Sequence, residues 1–228
     1  MDFKIKTGDL AELKTPCLVL GIFDKRKLSG PAESVDKASG GRLSEILKRG
    51  DLDGESGRTL LLYDIPGVAA ERVLLVGCGK RKDFTRSLYR QSVAAAVDLI
   101  QRSHAGEALC ALPELAPEGT GTYLAVRDTV TAAADRAYRY SETKEDKQAP
   151  KTPLRRLALW VSKKQDLDEA ERAARHGAAI ADGARLAKEL GNLPGNICTP
   201  SYLADKAREL EGQHHKLKVE VLEEEDME

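Results

Sequence analysis

Aromatic side chains are scarce in this sequence: three Phe, six Tyr and one Trp, only 4% of 228 residues. The core therefore has to be assembled from Leu, Val, Ile and Ala. Nowhere does an apolar run approach the roughly 20 residues that a helix needs to span a bilayer. Neither sign of charge dominates, with 36 basic and 37 acidic residues and a formal net charge of -1. That balance removes any global pull toward nucleic acid or membrane and leaves only local patches to weigh. The four cysteines, Cys17, Cys78, Cys110 and Cys198, contain no CxxC pair, and three lie in the apolar runs PCLVLGIF, LLVGCG and ALCALP. Buried reduced thiols are expected rather than a disulfide framework. The opening MDFKIKTGDL mixes charged and apolar residues and has no signal-peptide core, so a cytoplasmic location without a membrane partner is expected.

What is present is an alternation of short apolar runs and helical stripes. CLVLGIF, residues 17–23, is bounded by Pro and charge, as a buried strand should be. A helix is expected behind a Ser34 cap, with Leu43, Ile46 and Leu47 at helical spacing and the Gly40-Gly41 pair weakening or splitting it. A strand over residues 59–64 leads to the Pro66-Gly67 turn. ERVLLVGCG carries four consecutive apolar residues, Val73 to Val76, the pattern of a central strand covered on both faces. Residues 86–102 form an amphipathic stripe through Leu88, Val93, Ala96, Val97 and Ile100. EALCALPEL reads as a strand, TYLAVRDTVTAAADRAYRY as a helix and LRRLALWVSKK as a strand, with SETKEDKQAPKTP a solvated loop before the last. The expected class is α/β, a mixed or parallel sheet with helices on both faces.

From Asp166 the texture changes. DLDEAERAARHGAAIADGARLAKELGN predicts one long Ala-rich helix, capped by Asp166 and stopped at Gly191-Asn192. It reads as a connector between domains. After it, Thr199-Pro200 opens a second helix, and KLKVEVLEEEDME reads as a strand that runs into acid. The expected organisation is a first domain over residues 1–165, a connector helix over 166–192 and an unfinished α/β domain over 193–228. A strand without a sequence partner is the sign of that unfinished core.

Two passages, residues 35–80 and residues 177–210, resemble the leucyl (cytosol) aminopeptidases, and the similarity runs in order over the whole chain. KELGNLPGNICTPSYLA is its most specific segment; Gly195 stands where many relatives carry a second proline. The resemblance implies a macrodomain-like N-terminal domain joined by a long helix to a catalytic domain, and assembly as a hexamer. It also implies release of N-terminal residues from peptides, leucine favoured, by two zinc or manganese ions that polarise the carbonyl and activate a bridging water. The family's Gly-Lys-Gly-led ligand segment and its Asn-Thr-Asp-Ala-Glu-Gly-Arg segment do not occur here. No catalytic, cofactor or metal residue is therefore assigned, and the chain alone is expected to be inactive, serving assembly and positioning. The rival reading is a stand-alone macrodomain-like module for a phosphate-bearing ligand or DNA.

Gly77-Cys78-Gly79-Lys80 invites a phosphate-loop reading but lacks the Walker spacing, so a tight turn after a strand is the default. Lys80, Arg81, Lys82, Arg86 and Arg90 against Asp83 give a local excess of four positive charges. Weak DNA binding is its functional reading, and a solvated helix start its ordinary one. His214-His215 beside Glu211 cannot chelate well as chain neighbours, and His176 has no partner at ligand spacing, so surface and packing roles are expected. The acidic run Glu223 to Asp226 is read as solvated. Ser39 and Ser44 have no His or Asp arranged to activate them.

Overall fold

A computed structural model describes residues 1–143 and 149–226. Its centre is a seven-stranded mixed sheet: β1 (Asp2–Lys6), β2 (Leu18–Phe23), β3 (Lys27–Leu28), β4 (Thr59–Tyr63), β5 (Arg72–Gly77), β6 (Glu107–Cys110) and β7 (Arg156–Trp160). The spatial order is β1-β7-β6-β2-β5-β4, with β3 folded back on β2. β2 pairs in parallel with both β5 and β6, and β6 and β1 pair in parallel with β7; only β3 and the edge strand β4 run antiparallel. Every residue of β2 is buried.

Side chains alternate across this sheet because strand periodicity is two. Cys17, Val19, Phe23, Leu74, Val76, Cys110, Leu157 and Leu159 face one core, and Leu18, Leu20, Ile22, Val73, Leu75, Leu109 and Ala158 the other. The second core is covered by α1 (Gly30–Ala38) and α2 (Arg42–Lys48), through Val35, Leu43 and Leu47. The first is covered by α3 (Arg86–Arg102), α4 (Gly121–Ala137) and the opening turns of α5 (Leu167–Asn192). Each fully buried Val, Leu or Ile is worth roughly 1.5–3 kcal/mol, so two full cores compensate for the scarcity of aromatics.

Several expectations change in detail. The cap of α1 is Ser29, whose Oγ accepts from Ala32 N at 3.4 Å, and Ser34 lies inside the helix. Gly40 and Gly41, both at positive φ, divide α1 from α2 as expected. The amino-terminal residues form a strand, β1, which sequence reading left unassigned. Its alternation is masked by Asp2, Lys4 and Lys6, yet Phe3 and Ile5 pack on the core. The expected last strand does not form: residues 216–223 carry no ladder, and only a short 3-10 turn, Glu224–Asp226, follows. Of the expected loop over 141–153, residues 144–148 lie outside the described residues, and the rest is irregular.

The chain divides into two compact units; one boundary follows Arg139 and another falls inside α5, between Arg185 and Leu186. The larger unit holds the sheet. Within it α5 acts as a core helix, burying Ala170, Ala173, Ala174 and Gly177. The smaller unit contains α6 (Pro200–Gln213), whose Thr199 cap accepts from Tyr202 N at 3.3 Å and whose first residue is the expected proline. Among the described residues from 186 onward none is buried, and Ile197, Leu203, Leu217 and Leu222 are exposed.

Candidate functional site

In an open α/β sheet, ligands bind beyond the carboxyl ends of strands where neighbouring connections diverge. Here that point lies between β2 and β6. The chain leaves β2 toward β5 on one side and leaves β6 toward β7 on the other. The loops after β5 and β6 meet above it, and the backbone of β2 makes room for them. A side chain at Gly21 would come within 2.4 Å of Leu115 Cδ2 and 3.0 Å of Cys78 Sγ.

The loop after β5 is the sequence's phosphate-loop candidate, and its amides are already committed. Gly77 N donates to Arg58 O at 2.8 Å, Cys78 N to Ile22 O at 2.7 Å and Gly79 N to Gly54 O at 2.8 Å. The glycines are needed for close approach of backbone to backbone. A Cβ on Gly77 would lie 2.0 Å from Glu55 O, and Gly54, at φ +90°, sits against Phe23 O. These three N–H groups have nothing left to offer an anion.

Two clefts flank the loop after β6. One, of about 290 Å³, is lined by Arg81, Lys82, Phe84, Leu115, Ala116, Pro117 and Glu118. The other, of about 270 Å³, shares residues 116–118 and is bordered by Glu114, Asp166, Ser162 and Lys163. In the second, Glu114 is fixed by Ser162, accepting from its N at 2.9 Å and its Oγ at 2.8 Å. Arg81 of the first is held with its guanidinium 4.8 Å from the Phe23 ring centroid. Phe23, Phe84 and Tyr89 stack edge to face beneath it.

The five cations counted in sequence do not act together. Arg86 makes a two-point pair with Asp128, and Arg90 lies 3.9 Å from the same carboxylate and donates to Thr131 Oγ1 at 3.1 Å. Arg127 approaches Asp128 to 3.8 Å. Asp128 is buried and was not singled out in sequence, because it sits 42 residues from Arg86 on a helix whose other buried positions are Ala, Val and Thr. Its pairing raises the Arg86 guanidinium pKa through hydrogen bond and charge. Lys80, Arg81 and Lys82 form no ion pair among the described residues.

The remaining candidates take structural places. His214 terminates α6, its N–H donating to Leu210 O at 3.0 Å and Glu211 O at 3.2 Å, and His215 is exposed. His176 Nδ1 lies 2.7 Å from Tyr123 Oη, joining α5 to α4. Ser39 closes α1 by donating to Asp36 O at 3.0 Å. Ser44 does have a carboxylate beside it, contrary to expectation. Asp36 accepts from Ser44 N at 2.9 Å and from Ser44 Oγ at 2.5 Å, supplying to α2 the cap that Gly41 cannot. Among the described residues no group of three His, Cys, Asp or Glu is placed to hold a metal ion. No helix among them is long and apolar enough to cross a membrane.

Cys17, Cys78 and Cys110 are free and buried, and burial pushes their thiols up to about 12, 11 and 12 respectively. Such thiols are protonated at neutral pH and unreactive.

The fold is a mixed α/β sheet domain with a crevice at its switch point, an architecture that by itself fixes no activity. Comparison with known proteins gives its family. Residues 19–147 match the model of the cytosol aminopeptidase family, N-terminal domain. The chain is 45% identical over its full length to a probable cytosol aminopeptidase of Thioalkalivibrio sulfidiphilus, and 42% identical to one of Idiomarina loihiensis. Each match covers 100% of this chain and 46% of the relative. Among solved structures, a tomato leucine aminopeptidase mutant superposes with a TM-score of 0.77 at 21% identity, covering 100% of this chain and 45% of that one. The bottromycin maturation enzyme BotP gives 0.64 at 22% identity, over 87% and 37% respectively. At such identities these structures show the shared fold. The chain belongs to the cytosol aminopeptidase family, and it spans about half the length of the curated relatives it matches.

Proposed function

We propose that this chain is the assembly and positioning module of a cytoplasmic metal-dependent aminopeptidase, and that hydrolysis is carried out by family segments outside it. The observation that carries this reading is the full-length match to only 46% of each of these two curated relatives, combined with a family model described as the N-terminal domain. The smaller unit supports it independently. Residues 186–226 contain α6 and four exposed large apolar side chains but no buried residue. A segment without one fully buried side chain does little to offset the entropy of ordering it, roughly 1–2 kcal/mol per residue for the backbone alone. It is proposed to gain its core from the rest of the enzyme.

In that enzyme two divalent ions, manganese or zinc, would polarise the peptide carbonyl and generate the attacking hydroxide. The residues of this chain supply none of that chemistry in the proposal; they hold subunits or domains in register, in a hexamer as the family resemblance implies. Leucine p-nitroanilide with manganese is expected to show no turnover by this chain above a metal-only blank. The same chain extended by the second half of a relative such as the one from Thioalkalivibrio sulfidiphilus is expected to turn it over. Activity of the 228-residue chain itself would overturn the proposal.

A further inference from the structure

We infer that the cleft between the loops after β5 and β6 binds a free α-amino acid with an apolar side chain, recognising its carboxylate, ammonium and side chain separately. The inference goes beyond the peptidase reading and does not depend on it.

Position is the first ground. The cleft lies where the connections from β2 and β6 part, the place where an open α/β sheet leaves room beyond its strand ends. Its lining is the second. Phe84 and Leu115 are buried, and with Ala116 and Pro117 they make an apolar floor. Around that floor stand Arg81 and Lys82 on one loop and Glu118 on the other. None of the three forms an ion pair among the described residues. Arg86 and Arg90, a few residues on, are by contrast committed to Asp128. Two unspent cations and one unspent anion flanking an apolar surface complement a zwitterion with a hydrocarbon side chain.

Geometry narrows the ligand further. Arg81 is held in place over the Phe23 ring, so its planar fork meets a carboxylate with less loss of freedom than a loose side chain would suffer. A cleft of about 290 Å³ lies at the bottom of the size range for small-molecule sites, which suits a single amino acid and excludes a dinucleotide. No backbone phosphate loop stands beside the cleft, because the N–H groups of Gly77, Cys78 and Gly79 are occupied, as are Asp83 N by Lys80 O and Phe84 N by Arg81 O. Because all three charged groups are exposed, each contact is weakened by water, and a dissociation constant on the order of 1 mM is expected.

The test is a two-dimensional NMR titration of the 228-residue chain with L-leucine, N-acetyl-L-leucine and L-leucinamide. Saturable shifts with L-leucine, confined to the amides of residues 81–84, 115, 116 and 118, are expected. Removing either charge of the ligand is expected to weaken binding about fivefold or more. Arg81→Gln is expected to erase the preference for leucine over leucinamide, and Glu118→Gln the preference over N-acetyl-leucine; both side chains are exposed, so both variants fold. Absence of saturable shifts at these residues, equal affinity for the three ligands, or preferences unchanged in the two variants would each overturn the inference.

Discussion

Arg86, the first residue of α3, lays its guanidinium across both carboxylate oxygens of Asp128, a buried residue of α4. The pair is lopsided: the Asp128 side chain is 2% exposed and that of Arg86 57%. Removing either partner therefore has different consequences. Arg86→Met leaves a buried carboxylate supported, among the described residues, by Arg90 and Arg127 at nearly 4 Å, a loss of about 2–3 kcal/mol. Asp128→Asn leaves an exposed cation that water can solvate, and is expected to cost about 1–2 kcal/mol. Urea unfolding of the two variants should rank them in that order.

Gly177 of α5 packs directly against α4. A Cβ there would stand 2.8 Å from Val130 Cβ and 3.2 Å from Arg127 O, neither of which is the end of a flexible chain. Gly177→Val is expected to destabilise the larger unit by about 1–3 kcal/mol as the helices are forced apart. Gly183, six residues on in the same helix, has nothing within 4 Å of its Cβ position, and Gly183→Ala is expected to stabilise by up to about 1 kcal/mol. Thermal melts of the two variants should move in opposite directions.

The buried thiols make stability fall at high pH. Their folded values, about 11 to 12, lie above the value of 9.0 for an unperturbed thiol. Their contribution is fully present below about pH 9 and is lost as pH rises toward 12, because the unfolded chain ionises first. Each thiol contributes a slope of about 1.4 kcal/mol per pH unit in that window. Urea midpoints measured from pH 8 to 10.5 should drop accordingly, and less steeply in Cys110→Ala. At neutral pH, Ellman's reagent is expected to modify the partly exposed Cys198 quickly and the other three only on unfolding.

ADP-ribose is expected to leave the melting temperature unchanged at 1 mM. The amides of the glycine turn that would receive its phosphates already donate to Arg58, Ile22 and Gly54. A concentration-dependent rise would revive the binding-module reading.

Local signals made much of this architecture legible. The apolar runs of β2 and β5, the stripe of α3, the Thr199-Pro200 opening of α6 and the glycine break after α1 each follow from chemistry within a few residues. β1 escaped because an edge strand with one solvated side can carry three charges in five residues. Ser34 attracted the cap of α1 because cap residues are recognised by type, while the bonding geometry selected Ser29. The strand expected near Val219 and Val221 does not form: residues 217–223 carry no ladder, because pairing is settled by what lies beside a segment in space and not by its own alternation.

The amino-acid sequence by itself determined the class of fold, the family and the state of the cysteines, because apolar periodicity, a specific helix-stop segment and thiols inside apolar runs are all properties of neighbouring residues. Only the tertiary structure decided which charges remain available. Asp128 draws in Arg86 and Arg90 from another helix, and the glycine turn spends its amides on Arg58, Ile22 and Gly54, roughly 20 to 55 residues away, leaving Arg81, Lys82 and Glu118 around an apolar floor. Charge neutralisation and hydrogen bonding depend on distances in space, and chain order does not encode those distances.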